Sequence, residues 1–87
     1  MANHKSAEKR NRQRVKRRAR NLSYLSRMRT YMKRVRSAVA DGDADAAKSA
    51  LPLAITAISK AGGKGVIHSN TASRYISRLQ LAVNGLG

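Results

Sequence analysis

The side chains of this 87-residue chain whose types and spacing best suit them to chemistry are its lysines and arginines. Residues 1–36 hold fourteen of the nineteen Lys and Arg against one acid, a net charge of +13, and residues 37–87 hold five against three acids, a net charge of +2. The run from residue 5 to residue 20 has nine cations among sixteen residues, six of them arginine. Guanidinium groups bind phosphate through paired hydrogen bonds, so this run predicts contact with a polyanion.

Groups suited to catalysis or metal binding are scarce. The acids are Glu8, inside the basic run, and aspartates at positions 41, 43 and 45, which helix capping explains. His4 and His68 are 64 positions apart and cysteine is absent, so no acid–base pair, nucleophile or thiolate ligand is apparent. The stretch Gly62-Gly63-Lys64-Gly65 lacks the ending and the preceding strand of a phosphate-binding loop. We therefore predict no enzymatic activity, no metal and no cofactor.

The hydropathy of the sequence restricts the cellular compartments in which we expect the protein. The sequence has no apolar run long enough to span a membrane and no hydrophobic stretch after the basic start that would serve as a signal peptide. The Arg-rich start matches an organelle transit peptide in composition but has little apolar face. Because the chain also lacks cysteine, we expect a cytoplasmic protein.

A periodic apolar pattern predicts the first helix. Apolar residues recur at steps of three and four at Leu22, Leu25, Met28, Met32, Val35 and Val39. Upstream, helix breakers are missing, so we predict one long helix from about Ser6 to Ala40, ended by Gly42. Only Ala7, Val15 and Ala19 would extend its apolar face, so the first half of this helix has nothing to pack against.

A second helix is predicted from about Ala44 to Ala61, with Asp43 as its N-cap. Pro52 lies within this stretch and removes one backbone hydrogen bond, so we expect a bend there or a helix that starts near it. The expected inward positions are Ala47, Leu51, Ala54, Ile58 and Ala61. Most of these side chains are small, which favours close approach of a neighbouring helix.

The residues from Gly62 to Gly65 are predicted to form a loop, because glycines are concentrated there. His68 or Ser69 would then cap a third helix that frays near Asn84-Gly85. Its expected inward positions are Ala72, Ile76, Leu79, Val83 and Leu86. Three amphipathic helices joined by short loops predict an all-α fold, a three-helix antiparallel bundle.

The predicted helices differ in length, at about 50 Å for the first against about 27 Å for each of the others. We therefore predict a single domain over residues 1–87, in which residues 21–87 form the bundle and residues 1–20 a basic extension that projects beyond it. With cations on every side, this extension would be better satisfied between phosphate backbones than on one flat surface, which points to folded RNA. Without RNA, we expect it to be frayed or disordered.

RNA contacts are predicted in three groups of residues. The extension contributes Lys5, Lys9, Arg10, Arg12, Arg14, Lys16, Arg17, Arg18 and Arg20. Arg27, Arg29, Lys33, Arg34 and Arg36 lie off the apolar stripe of the first helix, where an ordinary solvated face is the alternative. Lys64, His68, Asn70, Arg74 and Arg78 surround the start of the third helix, whose dipole attracts anions. Tyr24 and Tyr31 share a helix face and either stack on bases or cover the core margin.

Several motifs resemble a known family. They are Met-Ala-Asn-His-Lys-Ser-Ala-Glu-Lys-Arg at residues 1–10, Met28-Arg29-Thr30, Gly42-Asp43, and the segment from Lys64 to Arg74. In this order they are similar to bacterial small-subunit ribosomal protein number twenty, over nearly the whole chain. The usual family pattern has alanines at positions 52, 62 and 63, so this chain departs from it along helix two.

The resemblance implies a protein that binds small-subunit (16S) ribosomal RNA directly and early in assembly. It implies contacts near the bottom of the subunit body, with the 5′ domain and with the long helix close to the 3′ end of the RNA. It also places Asn3, Lys5, Ser6, Lys9, Arg10, Lys64, His68, Asn70 and Arg74 near RNA. The leading hypothesis is therefore a structural, ribosome-bound constituent of the small subunit in the cytoplasm, with no membrane or small-molecule partner.

Two other classes of protein have similarly basic sequences. A nucleoid-associated protein that compacts DNA would place the same cations on duplex DNA, and it would also self-associate, although no dimer-forming surface is evident. A membrane-active cationic protein needs bulky apolar residues opposite its cations, and residues 5–20 hold none bulkier than Val15. The sequence thus favours RNA over duplex DNA, and both over lipid.

Overall fold

Three helices make up the described chain. The structure, a computed structural model, describes the backbone of residues 2–86 and the side chains of residues 6–86. Within residues 2–86 it contains α1 (Ala2–Ala40), α2 (Ala44–Gly63) and α3 (Ser69–Asn84), without a β-strand. Each helix contacts the other two, and the predicted antiparallel three-helix bundle with a long projecting first helix is confirmed. α1 begins earlier than the predicted Ser6, and α2 ends later than the predicted Ala61.

α1 is longer than the two helices that it packs against. It has 39 residues against 20 in α2 and 16 in α3, which correspond to about 58, 30 and 24 Å. The molecule measures 65 × 21 × 15 Å. Its Cα radius of gyration is 17.5 Å, whereas a compact chain of this length would have about 12 Å. The predicted mismatch in helix length is therefore present.

Small side chains build much of the core. The buried residues are Met28, Met32, Val35, Ala38, Ala47, Ala54, Ala57, Ile58, Ala61, Ala72, Leu79 and Val83, six of them alanine. Among the described residues no polar or charged side chain is buried. Leu25, Val39, Leu51, Ile76 and Leu86 are partly buried and pack against this cluster. The apolar periodicity of the sequence thus predicted most of the core.

Leu22 is the exception, because its side chain is 52% exposed. Its prediction as an inward residue is wrong. At about 100° per residue, Leu22 lies roughly 110° around α1 from Met28, Met32 and Val35, because the steps from 22 to 25 and from 25 to 28 are both of three residues. Val15, further along the uncovered part of α1, is 62% exposed.

The turn between α1 and α2 follows the sequence prediction closely. Gly42 has φ 72°, in the left-handed region, and its N–H donates to the Val39 carbonyl at 3.0 Å. The N–H of Asp43 donates to the Ala38 carbonyl at 3.0 Å, which completes a Schellman motif. Asp43 Oδ1 accepts from the Ala46 N–H at 3.1 Å, so the predicted N-cap of α2 is confirmed.

The predicted loop at Gly62 and Gly63 is wrong, because both residues belong to the last turn of α2. Gly65, with φ 73°, is the residue that ends this helix. Its N–H donates to the Gly62 carbonyl at 3.1 Å, and the Val66 N–H donates to the Ala61 carbonyl at 2.9 Å. These two bonds repeat the motif at the end of α1, so a single left-handed glycine suffices to turn the chain.

Gly62 lies where α2 and α3 approach each other closely. A Cβ atom at Gly62 would lie 3.0 Å from the Cβ atom of Ala72, below the ordinary carbon–carbon contact of about 3.5–4.0 Å. At Gly63 no atom of another helix lies within 4 Å of the corresponding position. The missing side chain of Gly62 therefore allows this helix spacing.

Pro52 lies inside a continuous helix. α2 runs from Ala44 to Gly63, so the expectation that a helix starts near Pro52 is wrong. The proline nitrogen has no hydrogen to donate to the Lys48 carbonyl. The side chains of Lys48 and Pro52 are both exposed, so water has access to this turn and can donate a hydrogen bond to the Lys48 carbonyl in place of the missing N–H. Thr56 Oγ1 donates to the Pro52 carbonyl at 3.0 Å one turn later.

Candidate nucleic-acid interface

Residues 6–20 of α1, here called the projecting segment, have every side chain exposed. Eight of them are cations, namely Lys9, Arg10, Arg12, Arg14, Lys16, Arg17, Arg18 and Arg20, and Glu8 is the one acid. The first half-buried side chains along α1 are those of Asn21, Tyr24 and Leu25. The bundle therefore leaves these eight cations free to meet a partner from outside the chain.

The cations do not surround the projecting segment completely. At about 100° per residue, they cover roughly two thirds of the helix circumference. The sector without cations, between Arg18 and Arg12, holds Glu8, Asn11, Val15 and Ala19. The prediction of a helix that is basic on every side is therefore wrong for this sector. The basic part is still wide enough to face phosphates in more than one direction.

Three cations form the most regular row on the projecting segment. Lys9, Arg12 and Lys16 follow one another at about one-turn steps, and together with Gln13 they line a shallow depression of about 300 Å³. Like charges this close repel each other, so the row gains stability when anions lie against it.

The predicted contact residues in the bundle half of α1 are all exposed, but they do not form one cluster. These residues are Arg27, Arg29, Lys33, Arg34 and Arg36. The guanidinium carbon of Arg34 lies 5.2 Å from the ring centroid of Tyr31, within cation–π range. Tyr31 is half-buried and packs against the core, so it covers the core margin. Tyr24 is half-buried as well.

Two grooves flank the bundle half of α1. The α1–α2 groove, of about 230 Å³, is lined by Arg27, Tyr31, Leu53, Thr56, Ala57 and Lys60. The α1–α3 groove, of about 350 Å³, is lined by Leu25, Met28, Arg29, Met32, Arg36, Ile67 and Tyr75. Lys60 was not among the predicted contact residues. The spacing of residues 53, 56, 57 and 60 on one face of α2 is the sequence signal that identifies the first groove.

The start of α3 carries the third predicted group. His68 is its N-cap, with Nδ1 accepting from the Asn70 N–H at 3.1 Å, which selects His68 over Ser69. An accepting Nδ1 carries no proton, so Nε2–H of the neutral ring is the donor left for a partner. Arg74 Nη2 donates to Thr71 Oγ1 at 3.3 Å. The predicted contacts Lys64, His68, Asn70, Arg74 and Arg78 are all exposed.

Asn3 and Lys5, also predicted contacts, lie outside the described side chains, and Ser6 is exposed at the start of the projecting segment. Among the described residues no group of three or more His, Asp or Glu side chains is placed to hold a metal ion. None of the helices in residues 2–86 combines the length and the apolar composition needed to cross a membrane.

Comparison with known proteins identifies the family. The family model described as ribosomal protein S20 matches residues 2–84. The "Small ribosomal subunit protein bS20" of Geotalea uraniireducens is 58% identical over 87 residues, covering all of both chains. The proteins of the same name from Syntrophus aciditrophicus and Citrifermentans bemidjiense are 57% and 56% identical, covering 97% and 100% of this chain and 94% and 100% of theirs. The chain therefore belongs to the ribosomal protein S20 family, a family of structural rather than enzymatic proteins.

Proposed function

We propose that this protein is a structural constituent of the small ribosomal subunit in the cytoplasm, where it binds 16S ribosomal RNA directly and supports its folding and assembly. The observation that carries this proposal is the projecting segment, a helical stretch whose side chains, eight of them cationic, are all exposed. Family membership supports the ribosomal setting. The charge, the exposure and the helix geometry support direct contact with RNA.

In the complex with RNA, the projecting segment acts as a helical counter-charge. Each lysine or arginine that contacts a phosphate releases condensed counterions, and this release favours binding. Because the cations cover about two thirds of the circumference, the helix neutralises phosphates on RNA segments that converge from different directions. Such a contact lowers the repulsion between these segments, and the RNA can then hold a compact fold. The 5′ domain and the long helix near the 3′ end of 16S RNA are the proposed segments.

The bundle of residues 21–87 sets the direction in which the projecting segment extends. α1 is a single helix through Ala40, so its packing against α2 and α3 through Met28, Met32 and Val35 fixes where the projecting segment points. The exposed start of α3 gives a second contact, because helix N-terminal N–H groups and Nε2–H of His68 favour anions. A protein held at two places orients the RNA segments that it joins.

The test is a competition experiment with the full-length protein. Small-subunit ribosomal RNA and duplex DNA are offered at equal concentration and moderate salt, and we expect the RNA to be bound preferentially. Equal affinity for both would refute the ribosomal proposal, and it would favour the DNA-compacting alternative.

A charge variant tests which residues are responsible. Replacing Lys9, Arg12 and Lys16 together by glutamine keeps helix propensity while removing three cations. We expect the slope of log affinity against log salt to fall by roughly one unit for each phosphate that the variant no longer neutralises. Lys48→Gln, which removes an exposed cation of α2, is the matched control and should leave the slope unchanged. An unchanged slope in the triple variant would contradict the role of the projecting segment.

A further inference from the structure

The α1–α2 groove joins Arg27, a predicted RNA contact on α1, to a face of α2 for which no RNA contact was predicted. Its floor and one wall are apolar, formed by Leu53 and Ala57 on α2 beside the half-buried ring of Tyr31 on α1. Leu53 is 52% exposed, so part of this apolar surface is accessible to a partner. The groove, at about 230 Å³, is smaller than the about 300–1,000 Å³ of typical small-molecule sites. It suits one planar group rather than a larger ligand.

The rim of the groove is basic. Arg27 and Lys60 line it, and none of its lining residues is acidic. Because α1 and α2 run antiparallel about the turn at Gly42, Arg27 and Lys60 lie towards the end of the groove nearer the projecting segment. Tyr31 and Leu53 lie towards the other end. An anionic group and a planar apolar group are therefore favoured at opposite ends of the same groove.

Thr56 adds a hydrogen-bonding group between these ends. Its hydroxyl hydrogen is donated to the Pro52 carbonyl at 3.0 Å, so its oxygen lone pairs are left to accept a bond from a ligand. The groove thus offers an aromatic surface, an acceptor and two cations. A nucleotide presents the complementary groups, which are a base for stacking, an amino or imino donor on the base edge, and a phosphate.

We propose that the α1–α2 groove receives one unpaired nucleotide of the bound RNA, with the base against Tyr31 and Leu53 and the phosphate between Arg27 and Lys60. This inference rests on the proposed RNA-binding function and adds to it a contact on α2. The two cations argue for RNA over an apolar side chain of a neighbouring protein, because a purely apolar occupant would leave them without counter-charge.

The experiment measures the affinity of full-length variants for a transcript of small-subunit ribosomal RNA. Tyr31→Leu keeps an apolar side chain but removes the ring, and we expect it to weaken binding about tenfold. Lys60→Gln should also weaken binding, whereas Lys48→Gln and Leu81→Ser, which alter exposed residues outside the groove, should stay within about twofold of the wild type. Tyr31→Phe keeps the stacking surface and should bind as the wild type does. Circular dichroism checks that each variant is folded.

Chemical probing of the bases identifies the occupant. We expect one unpaired base to be protected in the wild-type complex and to become reactive in the Tyr31→Leu complex. If the wild type prefers the RNA but Tyr31→Leu and Lys60→Gln bind like the control variants, the groove proposal is overturned and the RNA-binding function stands. Variants that bind RNA normally but fail to join subunits assembled with all other proteins would show a protein occupant and equally overturn it. Failure of the wild type to prefer this RNA would instead refute the proposed function.

Discussion

Replacing Gly62 by alanine should destabilise the bundle, even though alanine is the better helix former. Helix propensity alone favours alanine over glycine by about 0.5–1 kcal/mol. The new Cβ atom would, however, lie 3.0 Å from the Cβ atom of Ala72. Restoring an ordinary contact moves α3 away from α2 by about 0.5–1 Å. Overpacking of this kind costs about 1–3 kcal/mol, so we expect a net loss of about 1 kcal/mol.

Gly63→Ala is the matched control. This glycine is also helical, and no atom of another helix lies within 4 Å of its added Cβ atom. We expect it to stabilise the protein by about 0.5–1 kcal/mol. The two variants, with the same added methyl group at adjacent positions, should therefore differ by about 1.5–2 kcal/mol. For a domain of this size, that corresponds to a difference of roughly 10 °C in the thermal midpoint.

Thermal unfolding followed by far-ultraviolet circular dichroism measures this difference. The double variant Gly62→Ala with Ala72→Gly removes the overlapping methyl group from α3, so the two substitutions should couple favourably in a double-mutant cycle. If Gly62→Ala raises the midpoint as much as Gly63→Ala does, close approach of α2 and α3 does not constrain this position, and our reasoning is refuted.

Three other predictions concern the termini of the helices and the charge of α1. Deleting residues 1–20 should leave the circular dichroism per residue of the bundle largely unchanged, because the side chains of the projecting segment do not pack against it. The deletion should, however, remove most of the RNA affinity and flatten its salt dependence, and unchanged affinity would contradict the assignment of RNA binding to this segment. His68→Ala should lower the free energy of unfolding by about 1 kcal/mol through loss of the N-cap, whereas His68→Ser should restore it; equal stability of the two variants in urea unfolding would show that the cap contributes nothing. Gln13→Glu places an acid beside Lys9, Arg12 and Lys16 and should weaken RNA binding about fivefold. Val15→Glu, in the sector without cations, should weaken binding less. If a filter-binding assay shows the reverse order, this sector faces the RNA.

Local signals in the sequence predicted much of the fold. Met28, Met32 and Val35 recur at helical spacing, so their burial follows from periodicity alone. Gly42 and Asp43 act through bonds to residues within a few positions, and such short-range geometry is readable without tertiary information. For the same reason, the exposure of the projecting segment could be predicted from the absence of bulky apolar residues at helical spacing.

Some of the predictions failed because they depended on contacts between helices. Gly62 continues α2 because the chain turns only at Gly65, and no local rule contains its close approach to Ala72 of α3. Lys60 escaped prediction for this reason, because it joins Arg27 only when α1 and α2 pack together. Leu22 could have been placed from the sequence, because two successive steps of three carry it roughly 110° around α1 from Met28, Met32 and Val35, and it is exposed. The predicted RNA contacts, in contrast, stay predictions.

The composition of the core also bears on how the protein reaches its folded state. Six of the twelve buried side chains are alanine, and each removes little more than one methyl group from water. The net charge of +15 opposes compaction at the same time. A polyanion that binds only the folded form removes this repulsion and adds its binding free energy to stability. On the proposed function, the bundle needs only enough stability to present α1 correctly, because RNA bound to α1 would then stabilise the whole protein.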